Sequence, residues 1–253
     1  MIGTLGIFCG FLSGVLGIGG GIIMAPLLLY VPPLFGFEPL PMRTVAGLTI
    51  MQGLVACIFG ALAHKKFNCV SVKLTCWMGA TIFGAALVGG VGANYVSNQV
   101  LLLIFGVLAF AAAVLIFSKQ KQDEERPDIK ALVFSRWRAV SVAGGIGLLG
   151  GLVGQGGSFI LIPLMTSFVK IPTRIALGSN LAIVLLSSVA AFLGKAVTGQ
   201  IEWLLAVPII ATVIPAAYLG GHFSQKVPVL FLRRGLAIVI ALAAIRIWCS
   251  LLT

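Results

Sequence analysis

The chain has 253 residues, of which 60% are hydrophobic and only 9% are charged. A soluble domain carries about 25% charged residues, so this composition excludes an ordinary soluble protein. The formal net charge is +11, which we attribute to basic residues in cytoplasmic loops and not to nucleic-acid binding. The five cysteines are scattered and show no C-x-x-C spacing, so we predict neither a disulfide framework nor a metal site.

The first half of the chain begins with an apolar region, residues 2–31, which is broken by glycines at 17–21. It lacks a basic n-region and an A-x-A-like cleavage site, so we interpret it as part of the fold and not as a signal peptide. A loop with Pro32, Pro33, Pro39 and Pro41 follows it. Three uninterrupted apolar stretches then have the length of a membrane span, and they cover residues 44–63, 74–96 and 100–118.

The second half repeats this order. A charged segment, residues 119–138, is predicted to be a cytoplasmic linker between repeat 1 (1–118) and repeat 2 (139–253). Repeat 2 opens with a broken region at 139–169 and continues with spans at 175–194, 203–221 and 229–252. We therefore predict an all-α protein of the inner membrane, in which each repeat is one glycine-rich broken segment followed by three transmembrane helices.

The two halves match residue by residue, which indicates an internal duplication. The glycine cluster of repeat 1 recurs 137 positions later: Gly14, Gly17, Gly19, Gly20 and Pro26 match Gly151, Gly154, Gly156, Gly157 and Pro163. Beyond the first loop the offset becomes 131 positions, with Pro41-Met-Arg43 matching Pro172-Thr-Arg174, Gly47 matching Gly178, His64 matching Lys195, and Ala85-Ala86-x-x-Gly89-Gly90 matching Ala216-Ala217-x-x-Gly220-Gly221.

The direction of the second repeat depends on how the broken regions cross the membrane. Each has about 30 residues, whereas two full spans need about 40. One interrupted helix would give parallel repeats, and a re-entrant hairpin would give inverted repeats. The hairpin places 14 Lys and Arg on one side and 3 on the other, and the single crossing places 11 and 6. Because cytoplasmic loops carry the excess of basic residues, we favour hairpins, inverted repeats and both termini outside.

The glycine breaks are the first candidate site. Consecutive glycines destabilise a helix by about 1 kcal/mol each, and a helix that starts after a break offers free N–H groups and a positive dipole end to an anion. The predicted substrate-binding residues here are Gly19, Gly20, Gly21, Gln155, Gly156, Gly157 and Ser158. For Gly10, Gly147, Gly89-Gly90 and Gly220-Gly221 we prefer close helix packing as the explanation.

Polar side chains inside the spans are the second candidate site. Thr49 and Gln52 lie three residues apart on one helix face, and Ser179 and Asn180 lie at the matching level of repeat 2. Such residues either bond neighbouring helices or line the substrate path, and we name all four as substrate-binding candidates. Three further groups are basic. Arg43 and Arg174 either attract the anion or are interfacial cations that reach toward the headgroups, while Lys195 is interpreted as the end of a span.

The same residues argue against other functions. No Asp or Glu lies at the centre of a predicted span, so we do not expect a carboxylate relay of the kind used by proton pumps. The spans contain neither a His/Asp/Glu cluster nor a Ser-His-Asp set, so we predict no enzyme, no metal and no cofactor.

The doubled glycine segments, each followed by a proline, resemble those of the TauE/SafE family of sulfite exporters, also called probable membrane transporters. The run from Arg174 to Leu181 is similar to the family's second-half motif. The resemblance covers nearly the whole chain and implies passage of sulfite or another small sulfur-containing anion, such as an organosulfonate. We expect a transporter with alternating access at a midplane site between the repeats, and a small-anion channel with the same pore residues is the alternative. The expected partners are the anion and the lipid bilayer.

Overall fold

In this computed structural model the described residues are 2–16, 21–63, 71–117, 132, 134–155 and 157–224, with five single positions near the C-terminus. Within these ranges the chain is helical and contains no strand, as predicted. The predicted span at 229–252 falls almost wholly outside them. The α-helices are α1 (Ile2–Leu16), α2 (Gly21–Leu34), α3 (Met42–Ala63), α4 (Val72–Gly92), α5 (Asn98–Phe117), α6 (Arg136–Val153), α7 (Ser158–Ser167), α8 (Thr173–Val197) and α9 (Trp203–Ser224).

Five of these helices, namely α3, α4, α5, α8 and α9, are long and apolar enough to cross a membrane. Helices α1, α2 and α7 have 15, 14 and 10 residues, fewer than the roughly 20 that a span requires. Large apolar side chains such as Val88, Phe110 and Val207 are exposed on the spanning helices. An exposed apolar surface of this kind is what contact with lipid tails requires.

Two predicted boundaries are wrong. Pro32 and Pro33 were expected in a loop, but α2 includes both and ends at Leu34. The helix stops where Gly36 adopts a φ of 80°, while the N–H groups of Gly36 and Phe37 donate to the carbonyls of Pro33 and Pro32. This pattern closes a helix through a left-handed glycine, so the glycine and not the prolines sets the end. Helix α6 likewise begins at Arg136, inside the predicted linker.

Helix α1 of the first half packs along α9 of the second. Gly10 contacts Val213, and Gly14 lies against the Ala217 carbonyl so closely that a Cβ atom would collide with it. Gly3, near the start of α1, lies beside Thr212, so residue numbers increase in the same direction along both helices. The two helices are therefore parallel and in backbone contact, which confirms the packing role predicted for Gly10.

Helix α6 of the second half packs along α4 of the first in the same way. A Cβ atom on Gly151 would lie 2.5 Å from the Ala86 carbonyl oxygen, and Gly147 lies against Ile82. Since 82 pairs with 147 and 86 with 151, α4 and α6 are also parallel. The small residues permit this backbone approach, as they do between membrane helices generally.

Helix α4 also runs parallel to α8. Near their starts, the Ser71 N–H donates to Ser179 Oγ over 3.1 Å. Near their ends, a Cβ atom on Gly90 would lie 2.8 Å from the Ala191 carbonyl oxygen. Helix α4 of the first half thus lies between two helices of the second half and has the same direction as both.

Candidate substrate site at the helix breaks

The second break is a sharp helix end followed by a new helix start. Helix α6 ends at Val153, and Gly154 adopts a left-handed conformation with φ 76°. The Gln155 N–H donates to the Gly150 carbonyl over 2.9 Å, and the Gly154 N–H donates to that of Gly151 over 3.3 Å. These two bonds form a Schellman motif, which leaves the later carbonyls of the helix end in need of other partners.

Helix α3 supplies one of those partners. Gly154 lies directly on the backbone of Ala46, where a Cβ atom would collide with the Ala46 carbonyl. Thr49 Oγ1 is within hydrogen-bond distance of the Gly154 carbonyl, at 3.0 Å, and of the Ala46 carbonyl, at 3.2 Å. Thr49 therefore contacts the break, and the contact it makes is to the protein backbone.

The new helix begins without a side-chain cap. Gly157, with φ 72°, precedes α7 and makes no side-chain cap hydrogen bond. A Cβ atom on Gly157 would collide with the side chain of Ile146. Ser158 is buried, and its Oγ donates to the Gln155 carbonyl over 3.2 Å. The start of α7 thus lies inside the protein, and the positive dipole end of a helix start favours an anion in general.

The two breaks are in contact. Gln155 Nε2 of the second break donates to the carbonyl of Gly21, the first residue of α2, over 2.8 Å. Gln155 is 4% exposed, so the bond lies in the interior. The predicted residues Gly19, Gly20 and Gly156 lie outside the described part of the chain. Among the described candidates, the fold brings together Gly21, Thr49, Gln155 and Ser158.

Several buried polar atoms of the predicted residues have no hydrogen-bond partner in the described part of the chain. They are Oε1 of Gln155, Oδ1 of Asn180, and both Oε1 and Nε2 of Gln52. Gln52 is fully buried, and Asn180 is 1% exposed. Leaving a buried polar group unsatisfied costs about 1–3 kcal/mol, so such groups need a reason, of which bound water or a ligand is one.

Two other candidates make contacts of a structural kind. Ser179 Oγ accepts the Ser71 N–H at the start of α4. Arg43 donates from Nη2 to the Val96 carbonyl over 3.0 Å and from its backbone N–H to Asn98 Oδ1 over 3.1 Å. Arg43 thereby joins the start of α3 to the α4–α5 connection. Arg174 is the second residue of α8, but its side chain is outside the described part.

Lys195 was interpreted as a span end, and in position it is one, but it is fully buried by protein. Its Nζ donates to the Leu152 carbonyl over 3.1 Å and to Gln200 Oε1 over 3.2 Å. Leu152 belongs to the last turn of α6, so Lys195 satisfies another carbonyl at the second break. The repeat match to His64 was a signal for this residue, because both copies place a basic side chain at one position.

The described spans contain no acidic residue to neutralise these cations. Glu38 and Glu202 are exposed in connections between helices, and the other four carboxylates, at 123–128, are outside the described residues. No group of three His, Cys, Asp or Glu that could hold a metal ion occurs in the described part. The arrangement offers hydroxyls, amides, helix starts and cations, a set suited to an anion.

Comparison with known proteins places the chain in a family. The family model described as "Sulfite exporter TauE/SafE" matches residues 2–247. The chain is 30% identical to a probable membrane transporter protein of Xylella fastidiosa (strain 9a5c), over 95% of this chain and 92% of that protein. It is 20% identical to the probable membrane transporter protein YunE of Bacillus subtilis (strain 168), over 98% and 95%. No solved structure matches the chain. The chain therefore belongs to the TauE/SafE sulfite exporter family and is a multi-pass membrane transporter protein.

Proposed function

We propose that this protein transports a small sulfur-containing anion, such as sulfite or an organosulfonate, by alternating access through a site where the two breaks meet. The observation that carries the proposal is the buried hydrogen bond from Gln155 to Gly21. It joins the broken segments of the two halves, and Oε1 of the same amide has no partner among the described residues. Broken helices at the repeat interface are where transporters of this type bind substrate. The family description supports the sulfur chemistry.

Neutral donors and backbone dipoles contribute to the proposed site. The start of α7 and the amide of Gln52 supply donors, and the breaks supply glycines that let a ligand approach the backbone. The full set is Gly19, Gly20, Gly21, Gln52, Gln155, Gly156, Gly157, Ser158 and Asn180, supported by Thr49 and Ser179, with Arg43 and Arg174 attracting the anion.

We further propose that the two repeats are inverted. Helices α3 and α4 are consecutive spans with a short connection, so they cross the membrane in opposite directions. Helix α4 is parallel to α8, as the pairs 71–179 and 90–191 indicate. It follows that α8 is antiparallel to α3, its counterpart in the first repeat.

The broken segments then form hairpins. Helices α6 and α8 are both parallel to α4, so the chain must return through α7 to the side from which α6 entered. The Arg138 guanidinium lies 5.9 Å from the ring centre of Phe168, a contact between the start of α6 and the connection after α7. A single interrupted crossing would place these two residues on opposite sides of the membrane.

Flux measured with purified protein in liposomes tests the function. Sulfite and sulfoacetate should enter saturably, whereas sulfate and chloride should not. Alternating access further predicts that unlabelled substrate inside the vesicles accelerates uptake from outside. Uptake that is saturable but not accelerated by trans substrate, with measurable single-channel current, would favour the channel. Absence of flux for every anion in sealed vesicles would overturn the proposal.

A further inference from the structure

Lys195 is a buried cation without a buried counter-ion. It is 0% exposed, and the acceptors of its two hydrogen bonds, the Leu152 carbonyl and Gln200 Oε1, are both neutral. The described carboxylates, Glu38 and Glu202, are exposed to solvent. Burying a charge costs several kcal/mol, which a partner of opposite charge offsets. The described protein supplies no such partner.

A second cation lies at the same end of the molecule. Arg43 lies one turn before Gly47 on α3, and its Nε is buried without a partner among the described residues. The side chain of Gln200 accepts a hydrogen bond from Lys195. The backbone carbonyl of Gln200 lies against Gly47, in the first turns of α3. Gln200 thus links Lys195 to the turn of α3 that follows Arg43.

Lys195 adjoins the proposed substrate site. The carbonyl that Lys195 binds belongs to Leu152, two residues before Gly154, whose own carbonyl Thr49 binds. Gln200 connects the cluster to α4, because its Nε2 donates to the Gly90 carbonyl over 2.9 Å. Helices α3, α4, α6 and α8 therefore hold the ammonium group at the edge of the second break.

We propose that the transported anion is the missing counter-ion of Lys195, with Arg43 as the second positive group. This inference rests on the proposed function. The ligand class is a small oxyanion, whose oxygens accept charge-assisted hydrogen bonds from the ammonium. Lys195 then determines affinity for the anion, beyond supporting the helix end.

Lys195→Gln separates the two roles. Glutamine keeps a donor for the Leu152 carbonyl but removes the charge, so a purely structural lysine would be replaced with little loss of affinity. We expect the KM for sulfoacetate to rise at least about tenfold, and stabilisation of the purified protein against heat by sulfoacetate to disappear. Lys195→Arg should retain part of the affinity. An unchanged KM and unchanged stabilisation in Lys195→Gln would overturn the inference.

Gln200→Glu provides a test that keeps the lysine. The new carboxylate would lie beside Nζ and compete with the substrate anion, so the KM should rise although Lys195 remains charged. Glu202→Gln, an exposed change two residues away, is the matched control and should leave the KM unchanged. Because Gln200 also binds Gly90, the melting temperature of each variant is measured as well. If Lys195→Gln does not fold, an unchanged KM in both Lys195→Arg and Gln200→Glu contradicts the inference.

The wild-type protein separates this inference from the function on which it rests. If the wild type moves neither sulfite nor sulfoacetate, the proposed function is wrong. If the wild type transports sulfoacetate and the Lys195 and Gln200 variants match its KM, only the role of Lys195 is wrong.

Discussion

The two halves of the protein agree in their packing and differ in their polar chemistry. Gly10 meets Val213 where α1 packs on α9, and the matching residues Gly147 and Ile82 meet where α6 packs on α4. The glycines follow the 137-residue offset, and their partners follow the 131-residue offset. Each half therefore covers the other with equivalent surfaces.

The buried polar residues do not follow this pattern. Gln155 aligns with Ile18, Gln52 with Ile183, and Thr49 with Asn180. Backbone contacts fix the residue type on the packing surfaces, because any side chain larger than hydrogen would collide there. The residues at the breaks are free to diverge. A pair of breaks with unequal polar groups can bind a substrate that is itself asymmetric, as an organosulfonate is.

The largest expected effect concerns the topology of the two repeats, because each labelled position either reacts from outside the cell or does not. In a cysteine-free background, we expect single cysteines at Glu38 and Glu202 to react with a membrane-impermeant reagent added to intact cells. A cysteine at Lys170 should react only after permeabilisation. All three positions are exposed. Positions 38 and 170 follow equivalent broken segments, so parallel repeats require them to react from the same side, and that result would contradict inversion.

Because the two halves pack in an equivalent way, matched glycine substitutions in them should destabilise the protein to a similar degree. Gly14→Leu and Gly151→Leu each force a side chain into a carbonyl of the opposite half, and we expect each to cost about 3 kcal/mol or more. Both variants should give little folded protein on size-exclusion chromatography. Gly84→Leu and Gly145→Leu are the matched controls, because nothing lies within 4 Å of a Cβ atom there. A well-folded Gly151→Leu beside a misfolded Gly14→Leu would show that the halves are not equivalent.

Much of this fold was predictable from sequence, because apolar length and the internal repeat depend only on residue order. The start of α3 at Met42 and that of α8 at Thr173 each lie two residues from the predicted position. The end of α2 was not predictable from its prolines. It depends on the conformation of Gly36, which the spacing of apolar residues does not encode.

The sequence indicated candidate residues for the site but not the partners of their side chains. The repeat and the depth within the spans indicated Gln155 and Thr49, and the structure gives each a bond to a break. The hydropathy pattern places Lys195 at the end of a span because it locates residues only along the chain. Which side of the helix meets protein, and so buries this lysine, depends on the packing of α6 and α8.

A smaller effect, confined to transport, is expected at the break itself. Gly157→Val should abolish flux while the protein remains folded, since valine resists a left-handed backbone by about 1–2 kcal/mol and would displace Ile146. Gly199→Val is the control: Gly199 also has a positive φ, of 67°, but has open space around it. Gly20→Val should behave as Gly157→Val does. Normal transport by both break variants would mean that the glycines serve only packing.

The smallest expected effect has opposite signs for stability and for transport. Gln52 is fully buried, and neither atom of its amide has a partner in the described part of the chain, while its counterpart Ile183 is apolar. Replacing an unsatisfied amide with an apolar side chain of similar size removes a desolvation cost, so Gln52→Leu should stabilise the protein by about 1 kcal/mol. If the amide binds the anion, the same change should lower affinity, seen as a KM for sulfoacetate raised several-fold.

Met51→Leu, a volume-conserving change at the preceding buried position, should alter neither quantity. A Gln52→Leu protein that is more stable and transports with an unchanged KM would remove Gln52 from the substrate site and leave the amide as a cost without a function.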